Sequence, residues 1–182
     1  MKQLVMRLSL LALGCGILLS TTHALSKQQI EANRINFKTR QLVSILGDTN
    51  AEIIRLAEDL YRIEDDHKLL GFLFSRTTDQ GYNGEIKMIL AVAVSGQVLG
   101  ARVIEHRETP GLGDPLDLAV SDWILSFDGH SLASANWLVK KDGGDFDQFT
   151  GATITPRAVV GALKQGLQYY DTEKENWMTL ER

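Results

Sequence analysis

A loop of small residues that runs directly into a helix sets the strongest limit on how this chain folds. Thr155-Pro156 is typical of a helix start, because a hydroxyl residue caps well and proline fits the first helical position. The apolar or small residues that follow at helical spacing are Ala158, Val159, Ala162, Leu163, Gly166 and Leu167. Gly151 and Ala152 keep the preceding loop small, so backbone N–H groups can approach an anion. The sequence therefore predicts a phosphate site at a helix N-terminus.

Three hydroxyl residues, Thr150, Thr153 and Thr155, surround this junction. A phosphate bound there would lie against a threonine oxygen, close enough to be esterified by it. Arg157 is a candidate for a full positive charge at the same place. From the residues alone, an ordinary turn into a helix remains the alternative.

The first 25 residues form a second distinctive segment. Lys2 and Arg7 precede an apolar run that ends near Thr21 and approaches the ~20 residues needed to cross a bilayer. The same run is short enough for a signal peptide, and Thr22-His23-Ala24 offers small residues for cleavage. Both interpretations keep the basic residues in the cytoplasm and place the remainder outside.

Composition excludes several classes of function. The 182 residues are 44% hydrophobic and 23% charged, which is typical of a globular domain rather than a disordered one. A net charge of −4 without a basic stripe argues against nucleic acid as a partner. The four histidines lack metal-ligand spacing, so we expect no metal. No nucleotide-binding glycine motif, catalytic triad or CxxC is present, so we expect no independent catalytic turnover.

Hydrophobic spacing predicts helices at 26–46 and 51–61 and strands at 69–75, 85–94, 97–106 and 137–140. A helix or mixed segment is expected at 119–127. Ser95-Gly96 fits a tight turn between two of the strands, which gives the clearest hairpin of the chain. The expected fold is α+β, a twisted antiparallel sheet with flanking helices, preceded by one N-terminal transmembrane helix.

The string Asp147-Gln-Phe-Thr-Gly-Ala-Thr153 resembles the flavinylation motif of the FMN-binding domain family. In that family the last threonine carries FMN as a phosphoester, which a separate flavin transferase installs from FAD. The resemblance implies Thr153 as the acceptor, Asp147 as the motif aspartate and Thr150 as the hydroxyl before Gly-Ala.

A second string, Glu108-Thr-Pro-Gly-Leu-Gly113, is similar to a signature shared by the G subunits of Rnf electron transport complexes and the C subunits of sodium-pumping quinone reductases. Gly111 and Gly113 free the backbone to lie against a flat ring, and we include Thr109 and Leu112 in the expected site. Glu108 is either a partner of the ring edge or a brace for its own loop.

Lys140 is a further candidate, either at the flavin edge or phosphate or in solvent with Lys141. The three tryptophans are candidates for stacking on a flavin, although buried aromatic residues more often form core. The short chain and the residues around Asp147 resemble the Rnf subunits more than the longer quinone-reductase subunits.

The resemblance implies an electron-carrier subunit of a membrane-bound, ion-translocating oxidoreductase complex, with one covalent FMN per chain. Its expected partners are other membrane subunits, a flavin transferase during maturation and the membrane itself. The expected location is the bacterial inner membrane, single-pass, with a cytoplasmic N-terminus and a periplasmic flavin domain. The corresponding division is a membrane anchor at 1–25, a helical lead-in at 26–75 and the FMN-binding domain at 76–182. A stand-alone exported flavin carrier or sensor and a non-redox periplasmic binding module remain alternatives.

Overall fold

The structure is a computed structural model that describes residues 2–3, 5–22, 26, 45 and 51–180. The chain separates into two compact units, residues 1–40 and 41–182. In the first unit, helix α1 (Val5–Thr22) has a mean hydropathy of 1.6 and exposes its apolar side chains. At 1.5 Å per residue it extends about 27 Å, close to the ~30 Å hydrocarbon core of a bilayer. Length and composition suit α1 to cross a membrane, a criterion that a signal sequence also meets.

The second unit contains a five-stranded antiparallel sheet whose strands lie in sequence order. The strands are β1 (Glu52–Ala57), β2 (Leu60–Asp65), β3 (Lys68–Gly81), β4 (Gly84–Ala93) and β5 (Val98–Glu105). Each strand pairs with the next, so the sheet is a meander. The predicted α+β class, the three strands between residues 69 and 106 and the hairpin at Ser95-Gly96 are confirmed. β3 is longer than predicted and continues to Gly81.

Helix α2 (Ile154–Thr179) packs on one face of this sheet, against β3 and β4. Alternation along β4 divides its side chains: Met88 and Leu90 join the cluster that contains Leu163 of α2, whereas Ile89 and Ala91 join a second cluster. The second cluster also contains Ile45. Because both faces of β4 are buried, its middle is an uninterrupted apolar run.

The connection from β5 to α2 is irregular and holds the candidate site. It contains three short 3₁₀ helices, Asp114–Leu116, Trp123–Phe127 and Lys140–Asp142. The mixed segment expected around Trp123 thus contains a 3₁₀ helix. Trp123 packs its ring 4.8 Å from that of Phe149, and Phe127 lies 4.5 Å from Phe146, measured between ring centroids. Trp123, Trp137 and Trp177 all belong to the core.

The predicted helix at 51–61 is wrong, because these residues form β1 and the start of β2. Their apolar residues fit helical spacing, but pairing of β2 with β3 overrides that local pattern. Asp66 and His67 both have positive φ values, 46° and 62°, and form the tight turn between β2 and β3. Glu64 and Asp65 therefore form the end of β2.

The predicted strand at 137–140 is also wrong. Only Val139 forms a bridge, to Phe146, before the chain turns into the 3₁₀ helix at Lys140. The predicted helix at 26–46 lies outside the described residues except for Ser26 and Ile45. The division of the chain at residue 75 stays a prediction, and β3 spans that position.

Candidate functional site

Three segments that are distant in sequence enclose a cavity of about 300 Å³. They are the turn between β3 and β4, the loop after β5, and the end of the loop before α2 together with the first residues of α2. The residues that line the cavity are Tyr82, Glu108, Thr109, Leu112, Gly151, Ala152, Thr153, Ile154 and Thr155. The cavity therefore joins both sequence motifs with a turn that belongs to neither.

The loop after β5 is closed by its own backbone. The N–H groups of Leu112 and Gly113 donate to the carbonyl oxygen of Thr109 at 3.0 and 2.9 Å. Gly111 has a φ of 80°, a conformation that favours glycine, and its N–H donates to Asp114. This turn exposes the Leu112 side chain, which contributes to the cavity wall.

The loop before α2 is anchored from the aromatic core. Trp123 donates its indole N–H to the carbonyl oxygen of Asp147 at 2.8 Å. Ala152 donates its N–H to Phe149 at 3.1 Å, across a turn in which Gly151 has a φ of 78°. The loop therefore reaches α2 in a defined conformation, with Ala152 and Thr153 facing the cavity.

Helix α2 begins at Ile154, with Thr153 as its N-cap residue. The predicted cap at Thr155 is therefore two residues later than the observed N-cap residue. Thr155 is buried, and its hydroxyl donates to the Glu108 carboxylate instead of capping the helix. Within the part of the chain that the structure describes, the Thr153 hydroxyl makes no capping hydrogen bond to α2. Thr153 therefore places at a helix N-terminus a hydroxyl that does not cap the helix.

Glu108 is the buried charged group of the site, with 5% of its surface exposed. Its carboxylate accepts hydrogen bonds from the N–H of Tyr82 at 3.1 Å, the N–H of Asn83 at 3.0 Å and the Thr155 hydroxyl. Burial alone would raise the pKa of Glu108, but these hydrogen bonds and the nearby His106 bring it below its ordinary value. Two roles were expected for Glu108, and these contacts agree with the one in which its side chain supports the loop rather than the edge of a ring.

The basic residues near the motif are engaged in ion pairs on the surface. Lys140 Nζ lies 2.8 Å from a carboxylate oxygen of Asp147. Arg157 donates to both carboxylate oxygens of Asp142, at 2.6 and 2.9 Å. These pairs brace the loop ends, and neither cation lines the cavity.

The structure brings most of the sequence-predicted site residues to one cavity. Glu108, Thr109, Leu112, Gly151, Ala152, Thr153 and Thr155 line it. Gly111, Lys140, Asp147 and Thr150 do not line it, although all four lie in or beside the two loops. In the described residues, no group of three or more His, Cys, Asp or Glu is placed to hold a metal ion.

Sequence reasoning missed Tyr82 and Ile154 as lining residues. Tyr82 lies in the Gly81–Gly84 turn, which the sequence marks only as punctuation between strands. The sequence carries no signal that marks either residue as part of a site, and only the structure shows that both side chains are exposed beside the cavity.

Comparisons with known proteins agree with this arrangement. The model of the FMN-binding domain family matches residues 81–168, which contain all three cavity segments. The G subunit of an ion-translocating oxidoreductase complex from Vibrio cholerae is 38% identical over 180 residues, covering 87% of this chain and 84% of the relative. The protein of the same name from Shewanella loihica is 37% identical over 187 residues, covering 92% and 88%.

The chain belongs to the family of G subunits of ion-translocating oxidoreductase complexes. Family membership rests on the matches that cover most of both chains. A Vibrio atlanticus member is 59% identical, but over 98 residues that span 52% of this chain and 47% of the relative. The crystal structure of Shewanella oneidensis NqrC matches with a TM-score of 0.50 and 28% identity, over 59% of this chain and 54% of the other. Over the matched part, this chain thus has an α+β fold similar to that of this neighbour.

Proposed function

We propose that this chain is the electron-carrier subunit of an ion-translocating oxidoreductase complex and holds one FMN covalently through a phosphoester to Thr153. The observation that carries the proposal is the position of Thr153, which lines the cavity as the N-cap residue of α2 and whose hydroxyl makes no capping hydrogen bond among the described residues. Membership of the G-subunit family and the match to the FMN-binding domain support the cofactor.

The residues around the cavity suit an FMN. The dipole at the N-terminus of the 26-residue helix α2 favours the negative charge of a phosphodiester at Thr153. Leu112, Ile154 and Tyr82 are 42%, 45% and 66% exposed, and they offer apolar surface to a flat ring system. Thr109, Gly151 and Ala152 complete the walls with small or hydroxyl groups. A cavity of about 300 Å³ is at the lower end of the range for small-molecule sites.

Attachment requires a transfer reaction that a flavin transferase catalyses. The Thr153 oxygen attacks the FMN phosphorus of FAD, the bond to the bridging oxygen of the pyrophosphate breaks, AMP leaves and the hydroxyl proton passes to the transferase or solvent. Asp147, Thr150 and Gly151 belong to the exposed loop that the transferase would contact. When bound, FMN supplies the redox chemistry, and the chain holds and orients it between partner subunits.

The proposed location is the bacterial inner membrane, with α1 as a single anchor. Lys2 and Arg7 precede or lie early in α1, so the N-terminus stays in the cytoplasm and the flavin domain lies in the periplasm. A tether of this kind keeps the flavin near its membrane partners and raises its effective concentration there.

The deciding measurement is flavin fluorescence of the denatured chain in an SDS gel, after co-expression with a flavin transferase. Thr153→Ala should abolish the fluorescent band, because it removes the proposed acceptor oxygen, whereas Thr155→Ala should only weaken it, because the Thr155 hydroxyl donates to Glu108. Thr172→Ala, on the exposed part of α2, is the matched control and should leave the band unchanged. A flavin peptide that maps to Thr150 or Thr155, or a colourless wild-type chain, would refute the proposal.

A further inference from the structure

Glu108 connects all three segments of the cavity through one carboxylate. Glu108 extends from the loop after β5. Its carboxylate accepts hydrogen bonds from two backbone N–H groups of the turn between β3 and β4, and one from the Thr155 hydroxyl in the first turn of α2. The residues that it joins are 25 to 47 positions away in sequence. In the low dielectric of a buried site, such charge-assisted hydrogen bonds are stronger than neutral ones.

Backbone packing holds Glu108 in place from two sides. A Cβ at Gly113 would lie 2.2 Å from the Glu108 Cβ, and a Cβ at Gly81 would lie 2.8 Å from its Oε1. Both distances are too short for a side chain, so the absence of one at each glycine lets the loops close around the carboxylate. Gly113 has an ordinary φ of −93°, so close approach rather than backbone freedom explains its glycine.

The contact with Thr155 also affects Thr153. Thr155 lies two residues after Thr153 and is 3% exposed, with its hydroxyl hydrogen directed to Glu108. The first turn of α2 is therefore tied to the loop after β5 directly beside the proposed acceptor.

We propose that Glu108 is a positioning residue for flavin attachment: by holding Thr155, it fixes the first turn of α2 so that the Thr153 hydroxyl faces the cavity. This inference rests on the proposed attachment to Thr153. Glu108 acts through Thr155 and takes no part in the bond that forms. Misplacement of a reacting group by about 1 Å can lower a rate by about 100-fold, so a small shift of this turn has a large effect.

The test measures flavin transfer from FAD to the detergent-purified full chain by a purified flavin transferase. Glu108→Gln keeps the size of the side chain and removes its charge, and Thr155→Val removes the hydroxyl at nearly constant shape. Each should lower kcat for transfer to Thr153 by at least about tenfold, with KM for the chain unchanged because the exposed loop is intact. Thr155→Ser keeps the donor and should restore the rate.

Two exposed positions give matched controls. Glu85→Gln lies at the start of β4, and Thr172→Val lies on the outer surface of α2, so both should transfer flavin at the wild-type rate. Since Glu108 and Thr155 act through one contact, the Glu108→Gln/Thr155→Val double variant should be no slower than the slower single variant. In the flavin-free chain, Glu108→Gln should speed amide hydrogen exchange at Tyr82 and Asn83, because it weakens the hydrogen bonds that these N–H groups donate. If Glu108 acted only during the transfer step, these exchange rates would not change.

The outcomes separate this inference from the proposed function. A wild-type chain labelled at Thr153 together with unchanged kcat in Thr155→Val would overturn the role of Glu108 and leave the attachment site standing. A wild-type chain that takes no flavin at Thr153 would overturn both. If Glu108→Gln fails to fold, the comparison of Thr155→Val with Thr155→Ser decides the question on folded protein.

Discussion

At the scale of single residues, Glu108 should make the stability of the folded chain depend on pH. Its hydrogen bonds from Thr155, Asn83 and Tyr82 outweigh burial and lower its pKa in the folded chain. A carboxyl group with a lowered folded pKa adds stability above its unfolded pKa of ~4.3, and this contribution is lost as pH falls through the folded value. The Tm of the wild-type chain should therefore exceed that of Glu108→Gln at pH 7, and the difference should shrink below about pH 4. A difference that is constant from pH 7 to 3 would contradict this assignment.

The same scale shows what the sequence can reveal about a site. Thr153 and Glu108 are predictable because each lies in a string that is recognisable by itself. Tyr82 is not, because only the three-dimensional pairing of β3 with β4 carries its turn to Glu108. Likewise, the sequence does not show that the Thr155 hydroxyl donates to Glu108, 47 residues away, and that the N-cap position of α2 is at Thr153 instead.

At the scale of elements, close packing of α2 on the sheet distinguishes two glycines of the same helix. A Cβ at Gly161 would meet no atom within 4 Å, whereas a Cβ at Gly166 would lie 2.7 Å from Leu90 Cδ2 in the core. Replacing a helical glycine by alanine favours the helix by about 0.5–1 kcal/mol, so Gly161→Ala should be stabilising. Gly166→Ala gains the same term but overpacks the core, so it should be less stable than Gly161→Ala by about 1–3 kcal/mol. Urea unfolding of both variants measures the difference, and equal midpoints would contradict the packing.

Elements differ in how well the sequence predicts them. The strands from β3 to β5 are predictable because each contains a dense apolar run and because turns with glycine separate β3 from β4 and β4 from β5. The region of β1 and β2 instead suggests a helix, because Ile53, Ile54 and Leu60 fit helical spacing and no turn signal separates the strands. The turn at Asp66 and His67 has positive φ at two residues that are not glycine, a conformation that the hairpin pairing of β2 with β3 imposes.

At the scale of the whole molecule, the proposed topology places α1 in the membrane and the second unit, residues 41–182, in the periplasm. If α1 is an uncleaved anchor, the mature chain should retain Met1 or Lys2 by intact mass and resist extraction from membranes by carbonate. In spheroplasts, the chain from Lys27 onwards should be accessible to protease added from outside. A mature N-terminus at Leu25 in a freely soluble fraction would show that the apolar run is a signal peptide, and the attachment to Thr153 would survive that result.

The assembly of the cavity from Tyr82, Glu108 and Thr155 has a consequence for the order of biogenesis. A newly synthesised chain already carries the whole string from Asp147 to Thr153. The proposed acceptor is not yet positioned by Glu108, since the contacts of Glu108 exist only after β3, β4 and α2 have come together. Cofactor loading would then follow folding and would pass over misfolded copies. The yellow colour of the chain would in that case report a folded subunit, ready for incorporation into its complex.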